Sequence, residues 1–318
     1  MLLYSSYAWK PAVATPSIAI APGVNMPLVG IGTWQYNSST ARAEVESALK
    51  LGYRHIDTAL GYANQDGVGA AIRASTADAD IKRRDLFVVS KIPGGLNETA
   101  SASALELSLS QLFPGDPLAY VDLMLVHFPA TWGGSGGKAM RQAQWRAMES
   151  FVHKGKSRAI GVSHYCRKHL DDVLAIATIR PAVNQVQYHV GMGTASGNAT
   201  DDLEYMRKQG VTYESFSPLC GPCGGTDSHA LITGKLVTDI GAKYGKSGPQ
   251  VALKWQVQRG IPVIPKTSNL AHMRENFDLF SWNLTQADMA ELTAATVPAV
   301  AGNPGPGGVP VSGDCDVD

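Results

Sequence analysis

The chain has 318 residues, 44% of them hydrophobic and 17% charged, a globular composition long enough to bury a large core. Lysine plus arginine and aspartate plus glutamate each number 27, so the formal charge is zero and neither a nucleic-acid surface nor a polybasic membrane anchor is indicated. No apolar run approaches the roughly 18 residues that span a bilayer.

The first residues faintly imitate a secretory signal, but a basic leader is lacking and Lys10-Pro11 interrupts the apolar stretch. Residues 16–27 read as a short lead-in hairpin turning at Pro22-Gly23. From there, strand-like runs at 28–32, 53–57, 86–90, 121–127, 158–162, 182–186, 212–216 and 262–265 alternate with amphipathic stretches. The helical stretches lie at 41–51, 100–112, 138–153, 168–176, 200–209, 228–244 and 249–258. Short buried strands alternating with helices indicate parallel βαβ units, and eight strands without an intervening linker predict a closed (β/α)8 TIM barrel. A single domain is expected, with the barrel at 27–296 and a Gly/Pro-rich C-terminal loop at 297–318 that should form no helix.

Several nucleotide and redox motifs come close and fail. Gly30-Ile-Gly32-Thr-Trp-Gln35 has Gln35 where a dinucleotide fingerprint needs its third glycine for helix–strand packing. The Gly-Lys pairs at 137, 155 and 245 lack the first glycine of a phosphate loop. Cys220-Gly-Pro-Cys223 has the filling of a thioredoxin-like redox pair, yet it follows a late strand and runs into Gly224-Gly225 rather than a helix. A plain pair of cysteines in a glycine-rich loop is expected there, with a regulatory disulfide or a thiol oxidoreductase as the alternatives. Four cysteines make no disulfide framework, so a reducing cytoplasm is the expected compartment.

The segment Gly52-Tyr-Arg-His-Ile-Asp57-Thr-Ala-Leu-Gly-Tyr62, with Lys91 and His127 each at or near the end of a later apolar run, places four polar partners where strands empty into loops. That is the end at which a parallel barrel presents its chemistry. Reducing a carbonyl without a metal needs a hydride donor, a proton donor and a group to steady the negative charge growing on oxygen. A free tyrosine, with a pKa of about 10, is a poor acid; a neighbouring ammonium stabilises its phenolate and should lower that value. Asp57 can hold Lys91, Lys91 can tune Tyr62, and His127 can orient a carbonyl by hydrogen bond. His55, on the same strand as Asp57, reads as a packed core residue.

These segments resemble the aldo-keto reductase superfamily. The likeness runs over about 27–276 and is carried by Met26-Pro-Leu-Val-Gly-Ile-Gly-Thr-Trp34, Gly52-Tyr-Arg-His-Ile-Asp-Thr-Ala59, Val89-Ser-Lys91, Asp122-Leu-Met-Leu-Val-His127, Ala159-Ile-Gly-Val-Ser163, Asn184-Gln-Val186, Ser217-Pro-Leu219 and Ile264-Pro-Lys266. The resemblance implies a (β/α)8 barrel binding NADPH and reducing aldehydes or ketones, with Tyr62 as proton donor, Lys91 and Asp57 as its tuning pair and His127 orienting the substrate. It further implies Gly32, Thr33 and Trp34 beside the nicotinamide, Asp57 near its ribose, and Ser163, His164 and Gln185 at the carboxamide. Phe216 would stack on the ring, Ser217 and Leu219 would follow the pyrophosphate, and Lys266, Thr267 and His272 would meet the 2′-phosphate. Glu275 and Asn276 would reach the adenine. His164 stands where the family usually has asparagine, and His272 where an arginine commonly grips the phosphate. Since imidazole offers no guanidinium fork, a weakened NADPH preference with NADH also accepted is expected. Trp34, His127, Phe128 and Trp132 are the expected substrate wall, suited to a small carbonyl compound rather than a phosphorylated sugar. A monomeric cytoplasmic reductase is the reading, against a nucleotide-binding barrel that senses redox state.

Overall fold

Apolar strands this short need neighbours on both sides, and the chain supplies them by closing on itself. The computed structural model describes residues 15–77, 80–131, 134–192, 202–220 and 229–296. An antiparallel hairpin of β1 (Ser17–Ala21) and β2 (Val24–Pro27) leads in. Seven parallel strands follow in sequential order: β3 (Ile31–Gly32), β4 (His55–Asp57), β5 (Phe87–Ile92), β6 (Val121–Val126), β7 (Ser157–Ser163), β8 (Val183–Gln187) and β9 (Thr212–Phe216).

The expected eighth strand survives only as a bridge. Val263 pairs in parallel with Val29 on one side and Ser215 on the other. Backbone bonds from Gly30 N to Val263 O (2.9 Å) and from Ser215 N to Pro262 O (2.8 Å) close the ring. Pro262 and Pro265 carry no N–H, so the ladder cannot lengthen at either end of this segment.

The helices of the first half are α1 (Ser38–Leu51), α2 (Gln65–Ala77), α3 (Glu98–Leu112), α4 (Gly137–His153) and α5 (Arg167–Leu174). Those of the second half are α6 (Asp202–Lys208), α7 (Lys235–Tyr244), α8 (Gly248–Gln258), α9 (Leu270–Phe277) and α10 (Gln286–Ala294). Asparagine caps start three of them: Asn37, Asn97 and Asn269 accept the orphan N–H groups of Thr40, Ala100 and Ala271 at 2.8 Å. Three helices, α2, α9 and α10, go unannounced by the sequence pattern. In α2 the reason is Gly67 and Gly69, which weaken helix propensity. Both are required by contact, because a Cβ would sit 2.0 Å from Ser38 O at the first and 2.1 Å from Leu112 O at the second.

Two apolar layers result. The larger lies between the strands and the helices and includes Val45, Leu109, Trp145 and Trp255. The smaller fills the barrel interior with Phe87, Val89, Leu123, Leu125 and Val183, and the hairpin residues Ile20, Val24 and Met26 plug it from below. Above that plug, toward the C-terminal ends of the strands, the interior turns polar. No helix among the described residues is long and apolar enough to cross a membrane.

Candidate active site

Four residues from the ends of three strands, or from the loops beyond them, meet above the interior plug. Asp57 ends β4, Lys91 lies near the end of β5, His127 follows β6, and Tyr62 closes a 3-10 turn (Leu60–Tyr62) after β4. Lys91 Nζ donates to Asp57 Oδ1 at 2.6 Å, to Thr58 O at 3.1 Å and to the Tyr62 hydroxyl at 3.3 Å. Its three protons are thus fully allotted, one to the phenol. The imidazole of His127 meets the Tyr62 ring edge-on, with centroids 5.5 Å apart.

Burial dominates the electrostatics. Lys91 and Asp57 are almost wholly withdrawn from solvent. Burial opposes the Lys91 charge, yet Asp57 and then Tyr62 outweigh it and hold the ammonium above its ordinary pKa. Burial pushes the Tyr62 hydroxyl above its usual pKa, and Lys91 offsets only part of the rise. The depression expected from the ammonium alone is therefore absent in the free protein: desolvation of the phenolate wins. His127 is held well below its ordinary value, first by burial and then by the charges of Lys91 and His164, so its imidazole is neutral at pH 7.

A ring of amides and hydroxyls fixes these groups. Asn64 donates to Thr33 O (2.8 Å) and Tyr36 O (2.9 Å) and accepts from the Thr58 hydroxyl (3.2 Å), stapling the loop after β3 to the Tyr62 loop. Gln65 accepts from Ser90 and Ser108, which locks the backbone before Lys91. Both side chains begin or border α2. Their signal in the sequence is two adjacent amides, the first of them two residues past a candidate acid, visible only once that helix is known.

The expected cofactor residues fall into two groups. Near the tetrad, Thr33 hydroxyl donates to Asp57 O (2.9 Å) and Ser163 hydroxyl to Gln185 O (2.7 Å). Gln185 spends both amide protons on Asp57 Oδ2 (2.8 Å) and Glu214 Oε2 (3.0 Å), so only its carbonyl can face a carboxamide. His164 takes a positive φ of 61° and packs between Phe128 and Phe216, with centroids 5.5 and 4.8 Å away. These rings form an aromatic wall beside His127. Ser217 also has a positive φ (47°), which turns the chain at the end of β9, and Leu219 is half-buried behind it. Gly32 runs so close to the eighth strand that a Cβ would lie 3.0 Å from Ile264 O; Trp34, two residues on, is partly exposed.

The second group sits past the eighth strand. Lys266 Nζ donates to the Gln35 amide oxygen (3.0 Å) and lies over the Tyr36 ring at 5.1 Å. Partial burial holds Lys266 below its ordinary pKa. Thr267 hydroxyl accepts from Asn269 N (3.1 Å) ahead of α9. His272 and Arg274 are exposed on that helix, Glu275 accepts from the Ser247 hydroxyl (3.1 Å), and Asn276 is buried. Trp132, Cys223 and the 297–318 tail lie outside the described residues.

The cysteines differ from expectation. Cys166, at the start of α5, and Cys220, one residue past Leu219, are both buried and both disulfide-bonded. Composition alone gave no reason for this, since pairing depends on which loops the barrel brings together.

The sequence profile of the Aldo/keto reductase family matches residues 28–296. A probable NAD(P)H-dependent D-xylose reductase of Aspergillus niger is 33% identical over 306 residues, covering 88% of this chain and 93% of that protein. The glyoxal reductase of Bacillus subtilis is 35% identical over 289 residues, covering 89% and 94%. Among solved structures, an aldo/keto reductase from Brucella melitensis superposes with a TM-score of 0.76 at 31% identity, over 88% of this chain and 98% of the other.

Proposed function

The chain belongs to the aldo/keto reductase family, and from that premise we propose that it reduces small aldehydes or ketones to alcohols with NADPH, accepting NADH as well. The observation that carries the reading is the buried Lys91 Nζ placed within hydrogen-bond reach of both Asp57 and the Tyr62 hydroxyl. When bound, the nicotinamide supplies the hydride. Everything else falls to this chain. Tyr62 gives its proton to the carbonyl oxygen as that atom becomes basic, and Lys91 steadies the phenolate left behind. Neutral His127 can donate to the same oxygen and set its angle, since a neutral imidazole keeps one N–H. Asp57 holds the ammonium in place.

The residues present suit the cofactor. Lys266 is bonded to a neutral amide oxygen, not to a carboxylate, so its charge is available to a phosphate. Exposed His272 lacks the bidentate guanidinium fork of an arginine, which is why the discrimination between the two nucleotides should be modest. The aromatic wall of Phe128, His164 and Phe216 favours small aliphatic or aromatic aldehydes over phosphorylated sugars.

The test is cofactor oxidation over a panel of carbonyl compounds with each nucleotide. Tyr62→Phe should lower kcat by about 10²–10⁴ while nucleotide binding persists; unchanged turnover removes Tyr62 as the acid. Full reduction by Cys220→Ser would exclude a thiol mechanism. A preference for NADPH above roughly a thousandfold, or about 4 kcal/mol, would overturn the modest discrimination. We also place the enzyme, as a single-domain monomer, in the cytoplasm, where reduced nicotinamide is regenerated. The bonded Cys166 and Cys220 oppose that placement, because disulfides persist mainly in oxidising compartments. Thiol titration of the freshly isolated protein decides between them.

A further inference from the structure

Beneath the tetrad lies a second buried acid–base pair that the proposed reaction does not use. Glu214, in the middle of β9, and His55, at the start of β4, are both fully buried. Glu214 Oε1 and His55 Nε2 stand 3.3 Å apart, poorly aligned for a full hydrogen bond, and neither atom has another hydrogen-bond partner among the described residues. The other ring nitrogen, Nδ1, is 3.0 Å from Pro27 O. A carbonyl oxygen only accepts, so Nδ1 carries a hydrogen, and in a neutral imidazole Nε2 is then a bare lone pair. Facing it with an ionised carboxylate would set lone pair against lone pair between two fully buried side chains. A proton has to lie between them.

Space is made for this arrangement. A Cβ at Gly30 would fall 2.8 Å from His55 Cγ, and Phe87 closes the other side edge-on at 5.2 Å. The link to the reaction is Gln185, whose amide donates to Glu214 Oε2 on one side and Asp57 Oδ2 on the other. One planar group thereby sets the carboxylate that holds Lys91.

We propose that Glu214 and His55 are positioning residues for proton transfer at Tyr62, in which Glu214 carries a proton directed at His55 Nε2 and, through Gln185, fixes Asp57 as the one charged carboxylate opposite Lys91. This rests on the carbonyl-reductase reading of the tetrad. The titratable groups facing Glu214 are His55 and Asp57 from β4, Tyr62 from the turn after it and Lys91 from β5; β8 presents the Gln185 amide, and residues 262–265 present none. Burial and then Asp57 raise Glu214 to about 8, while burial lowers His55 to about 4, so the proton belongs to the carboxyl at neutral pH. His55 is faced in turn by Asp57, Lys91 and, from β6, Asp122. Above pH 8 the proton leaves, and the second negative charge raises Tyr62 further.

Glu214→Gln tests this without disturbing shape, since its oxygen can still accept from Gln185 and its amide can donate to His55. Its plateau kcat should stay within about threefold of wild type. The alkaline limb of its pH profile should move to lower pH by about half a unit, because no charge can form beside Asp57. Glu214→Leu, which strands the Gln185 amide, should lose about tenfold or more in kcat. An infrared difference spectrum between wild type and the glutamine variant at pH 7, with no nucleotide present, should show one protonated-carboxyl stretch belonging to Glu214. Absence of that band overturns the assignment of the proton, and a superimposable alkaline limb overturns the positioning role. Should the leucine variant fail to fold, the glutamine variant and the spectrum still decide. If no carbonyl compound is reduced at all, the reading of the tetrad fails, and the infrared band judges the buried pair on its own.

Discussion

The two ends of the barrel each bury an aspartate against a cation, and they use the pair differently. At the lower end, Asp122 near the start of β6 accepts from Arg158 (2.8 Å) and Val88 N (2.9 Å) and forms an ion pair with Arg83 (2.9 Å). Arg158 goes on to Gly23 O at 2.6 Å, tying the hairpin plug to the strands. Both oxygens are consumed by guanidinium and backbone donors, which suits a rigid fork that never loses its charge. At the upper end, Asp57 meets a lysine, whose ammonium keeps one proton for the Tyr62 hydroxyl at the longer distance of 3.3 Å. The lower pair is saturated and serves architecture. The upper pair is left with a loose third bond, and that bond points at the acid of the proposed reaction.

Removing the upper cation should break most. Lys91→Met leaves Asp57 buried and unpaired and takes away the phenolate's partner. We expect kcat to fall by about 10²–10⁴ and stability to drop by about 3–5 kcal/mol, read by steady-state kinetics and denaturant unfolding. Retained turnover would dissolve the contrast between the two ends. Asp122→Asn is the matched change below: a loss of about 1–3 kcal/mol with kcat within about twofold. A large fall in kcat at unchanged stability would mean that the lower pair reaches the chemistry after all.

The same contrast explains what could be read from the sequence. Asp57, Lys91 and His127 close or follow apolar runs, so their shared rim follows from strand direction alone, and Tyr62 lies one turn beyond. Asn64 and Gln65 stay hidden because Gly67 and Gly69 mask the helix that they begin, and those glycines answer to backbone contacts made by α1 and α3. His55 is legible as core, which it is. What escapes is its partner: the i, i+2 spacing puts His55 and Asp57 on one face of β4, but nothing local to β4 announces Glu214 in β9. The sign of the Tyr62 shift escapes too, since a neighbouring lysine is visible in a strand pattern and the degree of desolvation is not.

The last expected effect is a dependence of stability on pH, smallest per unit of pH. His55 and His189 are pushed down to about 4 and His127 also lies well below its ordinary value, all chiefly by burial. The unfolded chain takes up those protons below about pH 6.5 and the folded chain does not, so stability falls as pH drops from about 6.5 toward 4. Glu214 acts in the opposite sense. Its folded pKa of about 8 exceeds its unfolded value, so its contribution is whole below the unfolded pKa and is lost as pH rises through 8. The histidines are common to wild type and Glu214→Gln, so their share cancels in the difference between the two unfolding free energies. That difference should decline with rising pH between about 5 and 8, by at most about 1.4 kcal/mol per unit. A difference independent of pH over that range would show Glu214 ionised like any carboxylate, and the upper interior of the barrel would then hold two full negative charges on a single lysine.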